Sequence, residues 1–177
     1  MIYQKPEELE SLESLEKLEK HPESPVRIRF PDCDPFGHLN NGRYLDYFIT
    51  AREEHVQEHY GLNLFGERFQ QSNWVVRQSM VSHLAPARMN DRVWIRTGLI
   101  DFSRSSLLVE GVMLDSSREE VLAVSWVDLR YIDLQTGRPR RHEPDLMAIF
   151  EAVHLPADFR FGSEKERIRD IRRGAAA

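Results

Sequence analysis

Apolar positions along this chain change period from segment to segment. Between residues 7 and 20, Leu9, Leu12, Leu15 and Leu18 recur every third position among glutamates and lysines. That spacing predicts a helix with a narrow apolar stripe, because a strict period of three drifts around a 3.6-residue turn. Pro22 and Pro25 then predict a linker. Val26, Ile28 and Phe30 alternate, which predicts a short strand over 26–30. Residues 31–41 are turn formers throughout. The strongest helix prediction covers 42–60. Tyr44, Leu45, Phe48, Ala51, Val56 and Tyr60 fall on or near one face, with Arg43, Asp46, Glu53, Glu54 and Gln57 opposite. Gly61 stands where such a helix would end.

Beyond that helix the period returns to two. Segments 74–84, 92–101, 105–114 and 120–133 carry Val, Ile, Trp and Leu with frequent alternation, separated by turn signals. A last helix is predicted over 144–153, and the charged tail after Pro156, ending Gly-Ala-Ala-Ala, reads as loose. Strand, long helix and four consecutive strands imply an α+β domain with the helix on one sheet face. The expected division is an N-terminal extension at 1–24, one domain at 25–155 and a charged tail at 156–177. A single sheet with one helix leaves a face or edge open, which favours self-association.

Composition narrows the function classes. A formal net charge of -5 argues against nucleic acid as partner, since phosphate binding needs surplus Lys and Arg. The lone cysteine, Cys33, excludes an intrachain disulfide and multi-cysteine zinc sites. The charged N-terminus is not a secretory signal, and no apolar run approaches the ~20 residues needed to cross a bilayer. A cytoplasmic, reducing setting is the resulting expectation.

The densest group of reactive side chains is Asp32-Cys33-Asp34-Pro35-Phe36-Gly37-His38-Leu39-Asn40-Asn41, just before the long helix. A helix N-terminus offers unpaired N–H groups and a positive dipole end, which suit a carbonyl oxygen becoming an oxyanion. A carboxylate slightly upstream could attack or activate water. Asp, Gly and Asn are also ordinary turn and cap residues, so the residues alone leave a plain loop open.

This stretch, continued by Gly42-Arg43-Tyr44-Leu45-Asp46-Tyr47-Phe48, resembles the signature D-x-D-x-x-G-H-x-N-N-x-x-Y of the 4-hydroxybenzoyl-CoA thioesterase family, the hotdog-fold acyl-CoA thioesterases. Every fixed position is present, as Asp32, Asp34, Gly37, His38, Asn40, Asn41 and Tyr44. Weaker likeness follows at Pro86–Asp91, Ser103–Ser106 and Gly137–Pro139. The resemblance covers 26–150. It implies a hotdog domain, an antiparallel sheet wrapped around the helix at 42–60. It implies Asp34 as the catalytic carboxylate, either nucleophile or general base, and an acyl-coenzyme A substrate with no separate cofactor and no metal. On the same footing, the Asn41 N–H would polarise the thioester carbonyl, and His38 and Asn40 would orient the loop or the water. Ser103, Arg104, Ser105 and Ser106 would contact the coenzyme A phosphates, and the chain would form a homodimer or homotetramer. A carboxylate suffices because the thioester carbonyl is already electrophilic and the thiolate leaves readily.

Competing readings carry less. Cys33 is flanked by Asp32 and Asp34, whose charge disfavours a thiolate. His55-x-x-Glu58-His59 matches a zinc-protease spacing, yet lies on the expected polar face of the helix. G-x-S-x-G, G-x-G-x-x-G and P-loop patterns are absent. Within the hotdog class, an acyl-binding protein without hydrolysis would be expected to lack Asp34. A dehydratase would need His55 or His59, both expected to face outward. Phe65, Phe69, Trp74 and Phe102 are candidates for an apolar pocket or for the core. The acyl group, and coenzyme A against acyl carrier protein, stay open.

Overall fold

The computed structural model describes residues 15–175, so most of the helix predicted at 7–20 lies outside the described residues. Within them that helix stops at Leu15, and 16–20 turn towards the sheet. Pro22 disfavours helix just before it, and the Tyr60 hydroxyl donates to Glu19 O (2.8 Å), holding the turn against the domain. Leu15 and Leu18 pack, partly buried, on the core.

Five strands follow: β1 (Glu23–Arg27), β2 (Ser72–His83), β3 (Arg92–Phe102), β4 (Ser106–Leu114) and β5 (Val121–Asp133). They form one antiparallel sheet in the order β1-β3-β4-β5-β2. Four strands match the expected segments within about two residues, the scatter usual at element ends. The first strand is displaced to Glu23–Arg27, so the expected boundary at 24/25 falls inside it. Pro25 is accommodated because β1 is an edge strand. Phe30, expected inside, is 77% exposed, because the chain turns into a 3₁₀ segment at Phe30–Asp32.

The long helix, α1 (Tyr44–Tyr60), is preceded by a 3₁₀ turn at Asn41–Arg43 and ends at Gly61, whose N–H returns to Gln57 O (3.2 Å). It lies on one sheet face, the hotdog arrangement. Tyr44, Phe48 and Ala51 meet Val93, Ile95, Met113 and Ala123, while Val56 and Tyr60 meet Leu99, Leu107 and Tyr131. Gly111 permits this closeness: a Cβ there would sit 2.6 Å from Phe48 Cδ1 and 2.7 Å from Ser125 Oγ. Helix α2 (Pro144–Val153), as predicted, adds Leu146, Ile149, Phe150 and Val153 to the second group.

The tail after Pro156 corrects the expectation of a loose end. It covers the outer sheet face and forms helix α3 (Glu164–Ala175). Phe159 stacks on Trp126 (4.7 Å), and Ile168 and Ile171 join the cluster around Val112, Leu114 and Val124. Arg167 makes two bonds to the buried Glu110 carboxylate (2.6 and 2.7 Å), which also accepts from Trp126 Nε1 (2.9 Å). The tail's charge obscures its apolar spacing at 168, 171 and 175, which follows one helix face. Its acidic first turn and basic last turn suit the helix dipole.

Candidate functional site

The motif before α1 is a small hairpin. Cys33 bridges Leu39, the Asn40 N–H donates to Asp32 O (2.9 Å), and the Asp34 N–H to His38 O (2.7 Å). Asp34 closes the turn with its side chain as well, because Oδ1 accepts from the N–H groups of Phe36 (2.9 Å) and His38 (3.1 Å). Gly37 takes φ +76° at the tip, a conformation costly for residues with a Cβ. The second carboxylate oxygen, Oδ2, accepts no protein hydrogen bond among the described residues, and the side chain is half-buried. The turn is thus rigid while one oxygen stays available.

A second layer pins the hairpin. Leu39 N–H donates to Ala87 O (2.8 Å), Met89 N–H to Gly37 O (2.9 Å) and Ala87 N–H to the Tyr44 hydroxyl (3.2 Å). Asp32 accepts from the Tyr47 hydroxyl (2.7 Å) and faces Arg43 at 3.8 Å, tying the hairpin to α1. Arg88 donates to His38 Nε2 (3.2 Å), so that nitrogen is an acceptor. The His38 ring therefore has Arg88 as its partner, a contact the sequence offered no reason to single out. Asn40 caps the 3₁₀ turn, its Oδ1 accepting from Gly42 N–H (3.0 Å). The Asn41 N–H, at the head of that turn, donates to no protein atom among the described residues.

The serine turn forms separately, between β3 and β4. The Ser103 hydroxyl accepts from the N–H groups of Ser105 (3.2 Å) and Ser106 (3.1 Å) and lies 2.6 Å from Ser106 Oγ. Arg130 donates to Ser105 Oγ (2.8 Å), while the Arg104 side chain is exposed. His142 ties this turn to the interior. Its Nε2 accepts from Trp74 Nε1 (3.0 Å) and its Nδ1 donates to Ser103 O (3.1 Å). Burial lowers the His142 pKa and so favours this neutral, accepting ring.

An apolar cavity of about 280 Å³ opens between α1 and the sheet. Phe48, Ile49 and Val56 form its helix side, and Trp74, Leu107 and Val127 its sheet side. Phe65 and Trp74 belong to its wall, whereas Phe69 is core and Phe102 lies elsewhere. Arg52 and Glu53 also reach it, although Glu53 was assigned to the opposite face from its position in the helix. Asp34 is not part of this wall. Beside the cavity, edge strand β2 exposes Val75 (40%) and Val76 (52%).

Two side readings change. His55, expected to face outward, is 1% exposed. Its Nδ1 lies 2.8 Å from Thr97 Oγ1 and its Nε2 3.0 Å from Ser24 Oγ, so both ring nitrogens are engaged and neither is offered to a metal. Desolvation, then Arg52 and His59, lowers its pKa to about 4. The helix continues past the apolar arc that the sequence reveals, and β1 folds over it to cover His55. The Cys33 pKa is raised, by desolvation and then by Asp32 and Asp34, in keeping with its poor standing as a nucleophile.

Comparison with known proteins bears on the fold and the family. Residues 28–156 match the profile of the thioesterase-like superfamily. The acyl-CoA thioester hydrolase YbgC of Escherichia coli is 31% identical over 136 residues, spanning 72% of this chain and 93% of that one. The acyl-CoA thioesterase YbgC of Haemophilus influenzae is 24% identical over 129 residues, spanning 71% and 91%. Among solved structures, a Thermus thermophilus thioesterase complexed with coenzyme A and Zn is 26% identical with TM-score 0.62, covering 74% of this chain and 93% of that one. The DHNA-CoA thioesterase of Staphylococcus aureus has TM-score 0.69 at 17% identity, covering 83% and 95%, a likeness of fold.

Proposed function

Because the chain belongs to the thioesterase-like superfamily, we propose that it is a thioester hydrolase converting an acyl-coenzyme A to the free acid and coenzyme A. The observation that carries the reading is the pairing of a half-free carboxylate, Asp34 Oδ2, with an unpaired N–H, Asn41, at the two ends of one rigid hairpin. In this reading the Asn41 N–H donates to the thioester carbonyl and gains strength as that oxygen becomes negative. As base, Asp34 takes a proton from water while the water oxygen bonds to the carbonyl carbon. The tetrahedral intermediate then expels the coenzyme A thiolate, which takes up a proton. As nucleophile, Asp34 expels the thiolate itself and leaves a mixed anhydride for water to cleave. His38 and Asn40 hold the hairpin and water in line. No cofactor is required, since coenzyme A enters as part of the substrate.

Two features support a shared site in a homodimer or homotetramer. The apolar cavity, suited to the acyl chain, lacks Asp34 on its wall, and neighbouring β2 is a sheet edge among the described residues with Val75 and Val76 exposed. A twofold partner would supply the missing carboxylate. Among the described residues no helix is long and apolar enough to cross a membrane, and we assign the protein to the cytoplasm. A non-hydrolysing acyl carrier would not need Asp34, and a dehydratase would need an open histidine where His55 is sealed in.

The test is release of free thiol from a panel of acyl-coenzyme A esters, followed with a thiol-trapping dye. Asp34→Asn keeps the shape and removes the charge. It lowers kcat by at least ~10²-fold with little change in substrate binding. Near-normal turnover in that variant would refute the role given to Asp34.

A further inference from the structure

A second cavity, of about 290 Å³, lies at the β3–β4 end of the sheet. Phe102, Ser103 and Ser106 form one side. Arg160 and Phe161, from the segment between α2 and α3, form the other. These two residues lie beyond 28–156, the span that matches the superfamily. The tail is therefore more than a cover for the outer sheet face, because it walls a cavity that includes the serine turn.

The chemistry of the wall is specific. Arg77 and Asp128 lie on it and neutralise each other, with Arg77 Nε 3.0 Å from Asp128 Oδ2. Arg160 has no ion-pair partner among the described residues, and its backbone is locked. Its N–H donates to Ser163 Oγ (3.0 Å), and its carbonyl accepts from Ser163 N–H and Oγ, both at 2.8 Å. Arg160 is thus fixed on the wall by its backbone, and its exposed guanidinium is left free of any carboxylate among the described residues. Arg130, bonded to Ser105 Oγ, and the exposed Arg104 bring two further guanidinium groups to the same turn, again with no carboxylate partner among the described residues. Phe102 and Phe161 are half-buried and offer aromatic faces, and Asp101 offers a carboxylate acceptor. Unpaired arginines, hydroxyls, aromatic faces and one acceptor fit phosphates, a purine ring and a ribose.

We propose that the C-terminal extension completes the site for the phosphorylated adenosine half of coenzyme A, with Arg160 on a phosphate and Phe161 against the adenine. This rests on the reading of the chain as an acyl-coenzyme A hydrolase. Asp101 accepts from a ribose hydroxyl or the adenine amino group, and the apolar cavity on the other sheet face remains for the acyl chain.

The experiment uses the full chain and one acyl group carried either by coenzyme A or by N-acetylcysteamine, which keeps the thioester and drops the nucleotide. The ratio of kcat/KM between the two esters reports nucleotide recognition. Arg160→Ala and Phe161→Ala each lower that ratio by about 10-fold, chiefly through KM for the coenzyme A ester. Arg169→Ala, an exposed change elsewhere on α3, leaves the ratio as it is. Direct titration with adenosine 3′,5′-bisphosphate runs alongside, and Arg160→Ala weakens its binding by about 10-fold. Thermal unfolding of each variant checks that the fold survives. Unchanged ratios and unchanged nucleotide affinity in Arg160→Ala overturn the proposal. If wild type hydrolyses neither ester, the thioesterase reading fails, and the titration still decides whether Arg160 recognises the nucleotide.

Discussion

His55 couples the fold to pH, and the effect can be worked through. The ring bridges Thr97 on β3 and Ser24 on β1 from within α1, and it is sealed from solvent. Desolvation first, then the charges of Arg52 and His59, moves its pKa from 6.5 to about 4. The unfolded chain therefore binds a proton below 6.5 that the native state refuses. The sign follows: stability is flat above that value and falls as pH drops towards 4. Linkage gives a loss of about 2 kcal/mol between about pH 7 and pH 5 from this one residue. Burial also lowers the pKa values of His21, His83 and His142, which adds in the same direction, so a comparison is needed to isolate His55. His55→Gln keeps a polar side chain and removes the titration. The assay is urea unfolding of wild type and variant at several pH values, followed by tryptophan fluorescence. The variant loses some stability at neutral pH, but its decline towards pH 5 is shallower by about 2 kcal/mol. Parallel declines would mean that His55 protonates in place without cost, and the burial argument would be wrong.

Gly111→Ala sets a Cβ against Phe48 and Ser125, and calorimetry should find a loss of about 1–3 kcal/mol, as for other overpacked cores. Arg167→Met leaves the Glu110 carboxylate buried with only Trp126 as donor, which costs about 3 kcal/mol in denaturant unfolding. A cost near zero would show that α3 is dispensable to the outer sheet face. Asp34→Asn and Arg104→Glu, each inactive alone, should recover activity when mixed under subunit exchange, up to about one working site in four if pairing is random. A fully active monomer by light scattering would defeat the shared site.

The sequence by itself carried the motif and the scaffold. Alternation located β2 to β5 and the helical period located α1 and α2, because these are local patterns of 2 or 3.6 residues, while the turn formers and reactive side chains from Asp32 to Asn41 marked the site loop. What needed the tertiary structure was every relation between distant segments. Arg88 reaches His38 across 50 positions, and His142 reaches Trp74 across 68. His55 was placed outside because helical spacing reveals only the apolar face, not the strand that later folds over its margin. The tail was misjudged for a similar reason. Its charges point to solvent only until Arg167 finds Glu110, a carboxylate that β4 turns to the outer sheet face. Local periodicity determines which elements form. Pairing between them depends on groups whose separation along the chain gives no local signal, and those pairings build the two cavities and leave Asp34 outside both.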